Sequence, residues 1–69
     1  MIKRDAKRIA CGIAAALLLG DTYEFLYEEY KPKDAAKIEN CIKEIIWELQ
    51  HRSETPQEQE ELIGAFYDE

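Results

Sequence analysis

The sequence contains no valine, one serine, one histidine and only two cysteines among its 69 residues. Without valine, its apolar residues are mainly alanine, leucine and isoleucine, a mixture that favours helices over strands. Two cysteines and one histidine leave little material for the disulfides or the zinc cluster that stabilise many small proteins. A chain this short buries only a modest part of its surface. We therefore expect association with another subunit to supply the missing stability.

The scarcity of these residues also argues against catalysis. Ser53 is the only serine, the three glycines are far apart, and neither Cys11 nor Cys41 has a histidine placed to activate it. Glu48 and His51 have the Glu-x-x-His spacing of carboxylate-bridged metal sites, but such sites need further carboxylates and a second histidine. We predict that His51 is a surface residue near a helix C-terminus. The sequence predicts no enzyme, no cofactor, no metal site and no small-molecule substrate.

The charge of the chain is acidic and unevenly distributed. The formal net charge is −6, yet residues 1–8 carry four basic side chains and one acidic one, whereas residues 53–69 carry six acidic side chains and no basic one. Proteins that bind nucleic acid normally show a basic balance, because neutralising phosphates drives that binding. Nucleic acid is therefore an improbable partner, and an acidic surface suits a basic protein partner or simple solubility.

The N-terminal segment has four basic residues followed by the apolar run Ile9–Leu19, the order found in signal peptides. Asp5 interrupts the basic stretch, and the eleven residues of the run fall short of the ~20 that cross a bilayer. We interpret the run as a core helix, buried on all sides because it is apolar on all sides. This predicts a cytoplasmic protein without a membrane span, in which Cys11 and Cys41 are buried free thiols.

Apolar periodicity predicts an all-α fold, in which one domain over residues 1–69 forms a bundle of three to four helices. The predicted helices cover residues 3–19, 22–30, 34–51 and 56–67. Gly20 allows two interpretations: it ends the first helix, with Asp21 and Glu24 forming a capping box for the second, or the two helices are continuous. We expect the run Ile9–Leu19 to lie at the centre of the bundle and homodimerisation to complete the core.

The later helices carry clearer local signals. In the third, apolar residues recur at spacings of three and four and form a packing seam, which consists of Ala35, Ile38, Ile42, Ile45 and Leu49. The fourth begins at an N-cap threonine, Thr55, followed by Pro56 and by Glu58 three residues after the cap. In the first helix, Ala6, Ala10 and Ala14 are spaced by four, which allows another helix to approach closely.

Trp47 is the strongest candidate for a binding residue. At 100° per residue it lies about 180° from the centre of the seam, so the only tryptophan points away from the face that packs. Tryptophan is enriched in binding hot spots, but Phe66 or the N-terminal helix within the same chain is an equally good cover for it. The residues predicted to form an interface are Trp47, Lys43, Asn40 and His51 on the third helix, with Tyr23, Tyr27 and Tyr30 on the second.

These observations predict a small acidic protein-binding module, a regulator or inhibitor that acts by occupying the surface of another protein. Its size and charge fit accessory proteins of phages or mobile elements. Two alternatives remain open. One is a DNA-binding regulator with a helix-turn-helix around Lys31–Arg52, and the other is a structural homo-oligomer without a foreign partner. The tyrosines alternate with Glu24, Glu28 and Glu29, which argues against base stacking because these carboxylates repel phosphates.

Overall fold

The computed structural model describes all 69 residues and contains four helices and no strands, which confirms the all-α prediction. They are α1 (Lys3–Leu18), α2 (Leu26–Glu29), α3 (Pro32–Arg52) and α4 (Pro56–Asp68). None of them combines the length and the apolar content that crossing a bilayer requires.

Gly20 ends α1. It has a φ of +93°, in the left-handed region that side chains with a Cβ rarely adopt. Its N–H donates to the Leu17 carbonyl at 3.0 Å, and the Asp21 N–H donates to the Ala16 carbonyl at 3.2 Å. This pair of bonds is a Schellman motif, which terminates a helix. Of the two interpretations of Gly20, the structure selects termination.

The predicted second helix over residues 22–30 is wrong in extent, since α2 is one turn that begins at Leu26 and has no side-chain cap. The expected capping box is absent for a physical reason. It requires the Asp21 N–H to donate to the Glu24 carboxylate, but that N–H already donates to the Ala16 carbonyl in the Schellman motif. A nine-residue helix without a cap is marginal, and Leu26, which is fully buried, holds the remaining turn against the core.

The third and fourth helices follow their local signals closely. Proline occupies the first turn of α3, which therefore begins at Pro32, two residues before the predicted start. The seam of α3 is buried as predicted. At the start of α4 the Glu58 N–H donates to the Thr55 hydroxyl at 3.2 Å, so Thr55 is the N-cap that the sequence indicates.

Helix α1 packs against both α3 and α4, whereas α3 and α4 contact each other much less. The α-amino group of Met1 lies 3.3 Å from the Asp34 carboxylate, so α1 and α3 begin at the same end of the molecule. The start of α1 also meets the end of α4, through an ion pair of Lys7 with Glu69. Since α4 reaches that end with its last residues, α1 and α4 run in opposite directions.

The core contains apolar residues from all four helices: Ala6, Ala10, Cys11, Ile13, Ala14, Leu26, Ala35, Ile38, Cys41, Ile42, Ile45, Leu49, Ile63 and Phe66. The small residues Ala6, Ala10 and Ala14 are almost completely inaccessible, as expected for the closest helix contact. Both cysteines are buried free thiols.

One prediction about α1 is wrong. The run Ile9–Leu19 is not buried on all sides, because Gly12, Ala15, Leu18 and Leu19 are exposed, Leu19 to 85%. A central helix needs neighbours around its whole circumference, and this chain has too few helices to supply them. Packing by α3, α4 and the segment around α2 leaves one apolar side of α1 open to solvent.

Candidate functional site

Trp47, in the C-terminal half of the longest helix, is 55% exposed. The seam residues of α3 face the core. The opposite side of α3 is exposed and consists of Ala36, Asn40, Lys43, Trp47, Gln50 and His51. The structure therefore confirms the outward orientation that helical geometry predicts. More than half of the Trp47 surface stays uncovered within the chain.

A cleft opens beside Trp47, with a volume of 630 Å³. We call it the Trp47 cleft. Its apolar lining consists of Cys41 and Ile45 from α3, Phe66 from α4, and Trp47 itself. Three of these four side chains are at least nine-tenths buried and belong to the core. The cleft exists because α3 and α4 have few mutual contacts, which leaves a gap above the start of α1.

The charged lining of the cleft contains both signs. The basic side chains are Lys3, Lys7, Lys43 and Arg52, and the acidic ones are Glu44, Glu48 and Glu69. Four of the nine basic residues of an acidic chain thus surround one cleft. A polar rim around an apolar centre is the usual anatomy of a protein–protein interface.

Several of these charges already have partners. Arg52 donates to Glu48 at 3.0 Å, Lys43 lies 3.7 Å from Glu39, and Lys7 pairs with Glu69. The Lys7 ammonium also lies 5.5 Å from the centre of the Phe66 ring. The rim is therefore partly organised by ion pairs, while Lys3 and Glu44 have no ion-pair partner.

His51 lies against Trp47, with ring centroids 4.2 Å apart and planes inclined by 31°. The sequence predicted that both residues belong to one outward-facing group on the third helix, but the contact between their rings was not predicted. The spacing of four residues was a usable signal, because side chains at positions i and i+4 of a helix are neighbours. Glu48, the other half of the Glu-x-x-His spacing, is directed to Arg52.

The predicted tyrosines do not join the Trp47 cleft. Tyr23 and Tyr30 are half-buried against the core, and Tyr30 lines a different cavity together with Ile9 and Ile13. Tyr27 is exposed. Its pKa lies above the ordinary value because of partial desolvation and the nearby Glu39 carboxylate. The structure therefore separates the predicted interface residues into a group on α3 and a group on the α2 segment.

No group of three or more histidine, cysteine, aspartate or glutamate side chains comes close enough together to hold a metal ion.

The thiols of Cys11 and Cys41 are weak nucleophiles at neutral pH. Burial raises the pKa of Cys11 and of Cys41, and desolvation is the largest cause for both. A raised pKa keeps a thiol protonated and therefore weakly nucleophilic.

The region of the proposed helix-turn-helix contains one helix and not two. Residues 32–52 form α3 without a break, and the only preceding element is the single turn α2. The DNA-reading motif places a second helix in the major groove and supports it with a first helix. The segment Lys31–Arg52 lacks that pair.

No known protein family, curated protein or solved structure matches this chain.

Proposed function

We propose that this chain is a protein-binding module and that the Trp47 cleft receives its partner. The observation that carries the proposal is the exposure of Trp47 at the edge of an apolar cleft. Exposing a large aromatic ring forgoes the favourable burial that a monomeric protein of this size needs. An indole in such a position gains much of that free energy when a partner covers it.

The partner that fits the cleft presents an apolar side chain with charges around it. The apolar side chain would contact Trp47, Ile45 and Phe66. The surrounding charges would meet a rim of both signs, which favours recognition of one orientation over another. Occupying a partner's surface in this way is the action of a regulator or inhibitor, and it requires no chemistry from this chain.

The test compares Trp47→Ala with the wild-type chain and with Gln50→Ala. Gln50 is exposed on the same helix and does not line the cleft, so it is a matched control. Proteins captured from the native host by the wild type and by Gln50→Ala, but not by Trp47→Ala, are candidate partners. The purified candidate is then titrated against the wild type, and binding is followed through the fluorescence of Trp47, the only tryptophan.

The expected result is a loss of at least about 2 kcal/mol of binding free energy in Trp47→Ala, as at other hot spots, with an unchanged melting temperature. Equal capture by all three proteins would overturn the proposal. A large fall in the melting temperature would instead assign Trp47 to the stability of the fold.

A specific observation also supports self-association. The exposed apolar side of α1 is separate from the Trp47 cleft, since none of Gly12, Ala15 and Leu19 lines that cleft. Small domains often finish an incomplete core with a partner subunit. We therefore propose homodimerisation through α1 as a second property, which is compatible with a foreign partner at Trp47.

A further inference from the structure

We propose that α4 is a detachable wall of the Trp47 cleft: it leaves α1 and α3 as a unit while these two helices stay packed together, and Lys7 and Arg8 hold it in place. This inference rests on the function proposed for the cleft and adds a conformational control of it. Phe66 and Glu69 line the cleft from the end of α4. The cleft therefore exists only while α4 is docked.

Helix α4 contributes little to the core that the other helices share. Only two of the fourteen buried core residues, Ile63 and Phe66, belong to it. It packs mainly on α1 and touches α3 much less. The Trp47 cleft lies on its α3 side, and a second cavity of 440 Å³ lies between α4 and α1. Elements with few buried apolar contacts open at a lower free energy than the whole fold.

The α4 helix also has little stability of its own. Its charged side chains are all acidic, namely Glu58, Glu60, Glu61 and Asp68. No ion pair joins two of its residues, whereas α3 contains two such pairs. Gly64 lies inside α4, and glycine is among the least favourable residues within a helix. A helix of 13 residues with this composition is marginal by itself, so we expect it to unfold when it leaves α1.

The end of α4 depends on cations from α1. Its last turn carries no basic residue, although the C-terminus of a helix is partly negative and is stabilised by cations. The Lys7 ammonium forms an ion pair with Glu69 and lies 5.5 Å from the centre of the Phe66 ring. The guanidinium of Arg8 lies 5.5 Å from the centre of the Tyr67 ring. These contacts fasten the last turn of α4 to the start of α1.

The other charges at this end of the molecule do not change the direction of the attraction. The start of α1 carries four basic side chains and the acidic Asp5. The end of α4 carries Asp68, which lines the cavity between α1 and α4, and Glu69. On the α3 side of the cleft, Glu44 repels Glu69 and so does not hold α4. The basic start of α1 and the acidic end of α4 therefore attract each other within one chain.

Undocking of α4 would remove the cleft and join its space to the cavity between α1 and α4. The surface left on α1 and α3 would include Cys11, Cys41 and Ile45, which line these two spaces. A partner that contacts Phe66 in the cleft binds only the docked form, and a ligand stabilises the state that it binds. The position of α4 therefore controls whether the cleft can receive its partner.

Hydrogen exchange of the full chain, read by mass spectrometry, compares α4 with α3 in the same sample. In the wild type, protection should be at least about tenfold lower in α4 than in the seam of α3, since α4 opens without the rest of the fold. In Lys7→Gln, α4 should exchange about threefold faster, because the ion pair and the ring contact are lost, and α3 should not change. Lys43→Gln is the matched control, since Lys43 lines the same cleft but pairs with Glu39 on its own helix.

Two glycine variants test the same opening in the other direction. A Cβ added at Gly64 of α4 or at Gly12 of α1 would meet no other heavy atom within 4 Å, so alanine fits at both positions. Gly64→Ala should slow the exchange of α4 several-fold, because alanine favours the helix. Gly12→Ala is the same change in α1 and should leave the exchange of α4 as it is, because α1 stays folded when α4 opens.

The outcomes separate this inference from the function proposed for the cleft. Equal protection of α3 and α4 in the wild type, or slower exchange of α4 in Gly12→Ala, would show that α4 unfolds only with the whole protein and would overturn the inference. Exchange of α4 in Lys7→Gln at the rate seen in Lys43→Gln would overturn the holding role of Lys7. Capture of the same proteins by Trp47→Ala and by the wild type overturns only the function of the cleft, because none of the exchange measurements involves Trp47.

Discussion

The indole of Trp47 stacks against the imidazole of His51, one helical turn later on α3, with ring centroids 4.2 Å apart. Both side chains are exposed, so the contact is formed on the surface and not by core packing. An aromatic ring on a helix surface otherwise samples several rotamers, and a partner must immobilise it on binding, which lowers affinity. We therefore expect the contact with His51 to restrict the Trp47 ring before a partner binds.

The His51→Ala variant tests this role. Aromatic pairs contribute about 0.5–1.5 kcal/mol beyond the area that they bury, so we expect binding at the Trp47 cleft to weaken several-fold. The folding free energy should change by less than about 0.5 kcal/mol, because the site is exposed. Fluorescence anisotropy of Trp47 should fall as the ring becomes more mobile. Unchanged anisotropy would show that His51 does not restrain the ring, and Gln50→Ala is again the control.

Thr55→Ala should destabilise the protein through the start of α4. The Thr55 hydroxyl accepts the Glu58 N–H at 3.2 Å, and loss of an N-cap costs about 1 kcal/mol. For a domain of this size that corresponds to a fall of about 4–8 °C in the melting temperature. Thr22→Ala is the comparison, since Thr22 is exposed and caps no helix. Equal melting temperatures for the two variants would contradict the capping role.

Two leucines seven residues apart should respond very differently to truncation. Leu26 is completely buried, whereas Leu19 is 85% exposed. Leu26→Ala should cost about 2–5 kcal/mol, which is a large share of the stability of a small domain. Leu19→Ala should leave the monomer unchanged and weaken only association through the exposed apolar side of α1. Chemical denaturation at low protein concentration measures the first effect, and sedimentation measures the second. A stable Leu26→Ala variant would show that α2 does not anchor the chain.

The stability of the fold should decline at alkaline pH. Burial raises the pKa of Cys11 and of Cys41 in the folded state above the value of 9.0 for an exposed thiol. The folded state therefore retains these protons after the unfolded state has begun to lose them. Their contribution is fully present below about pH 9 and is lost as the pH rises further, through the raised pKa values of the folded state.

Denaturation midpoints at pH 7 and pH 10 measure this loss. The control is Cys11→Ala/Cys41→Ala, which removes both thiols and leaves every lysine and tyrosine in place. The difference between the two midpoints should be smaller in the double variant than in the wild type. An equal difference would assign the alkaline loss to other groups.

The sequence alone determined those features that depend on neighbours along the chain. The seam of α3 is visible because polar residues alternate with apolar ones at helical spacing, and the same pattern shows that Trp47 points outward. The hydrogen bonds that make Thr55 a helix start and Gly20 a helix end join residues only three to five positions apart. Both roles can therefore be predicted from the neighbouring sequence. The stack of Trp47 with His51 was equally local and could have been predicted from the spacing of four.

Tertiary structure alone decided which surfaces are covered. The segment Ile9–Leu19 is apolar on every side, so its pattern contains no polar face to mark the side that remains exposed. The Trp47 cleft combines Phe66 and Lys7 with residues of α3, from helices far apart in sequence, and it exists only because α3 and α4 stand apart. The capping box at Asp21 does not form, because the Asp21 N–H already donates to the Ala16 carbonyl at the end of α1. Periodicity records how residues are arranged within one helix, but the exposure of a face depends on whether another helix is available to pack against it.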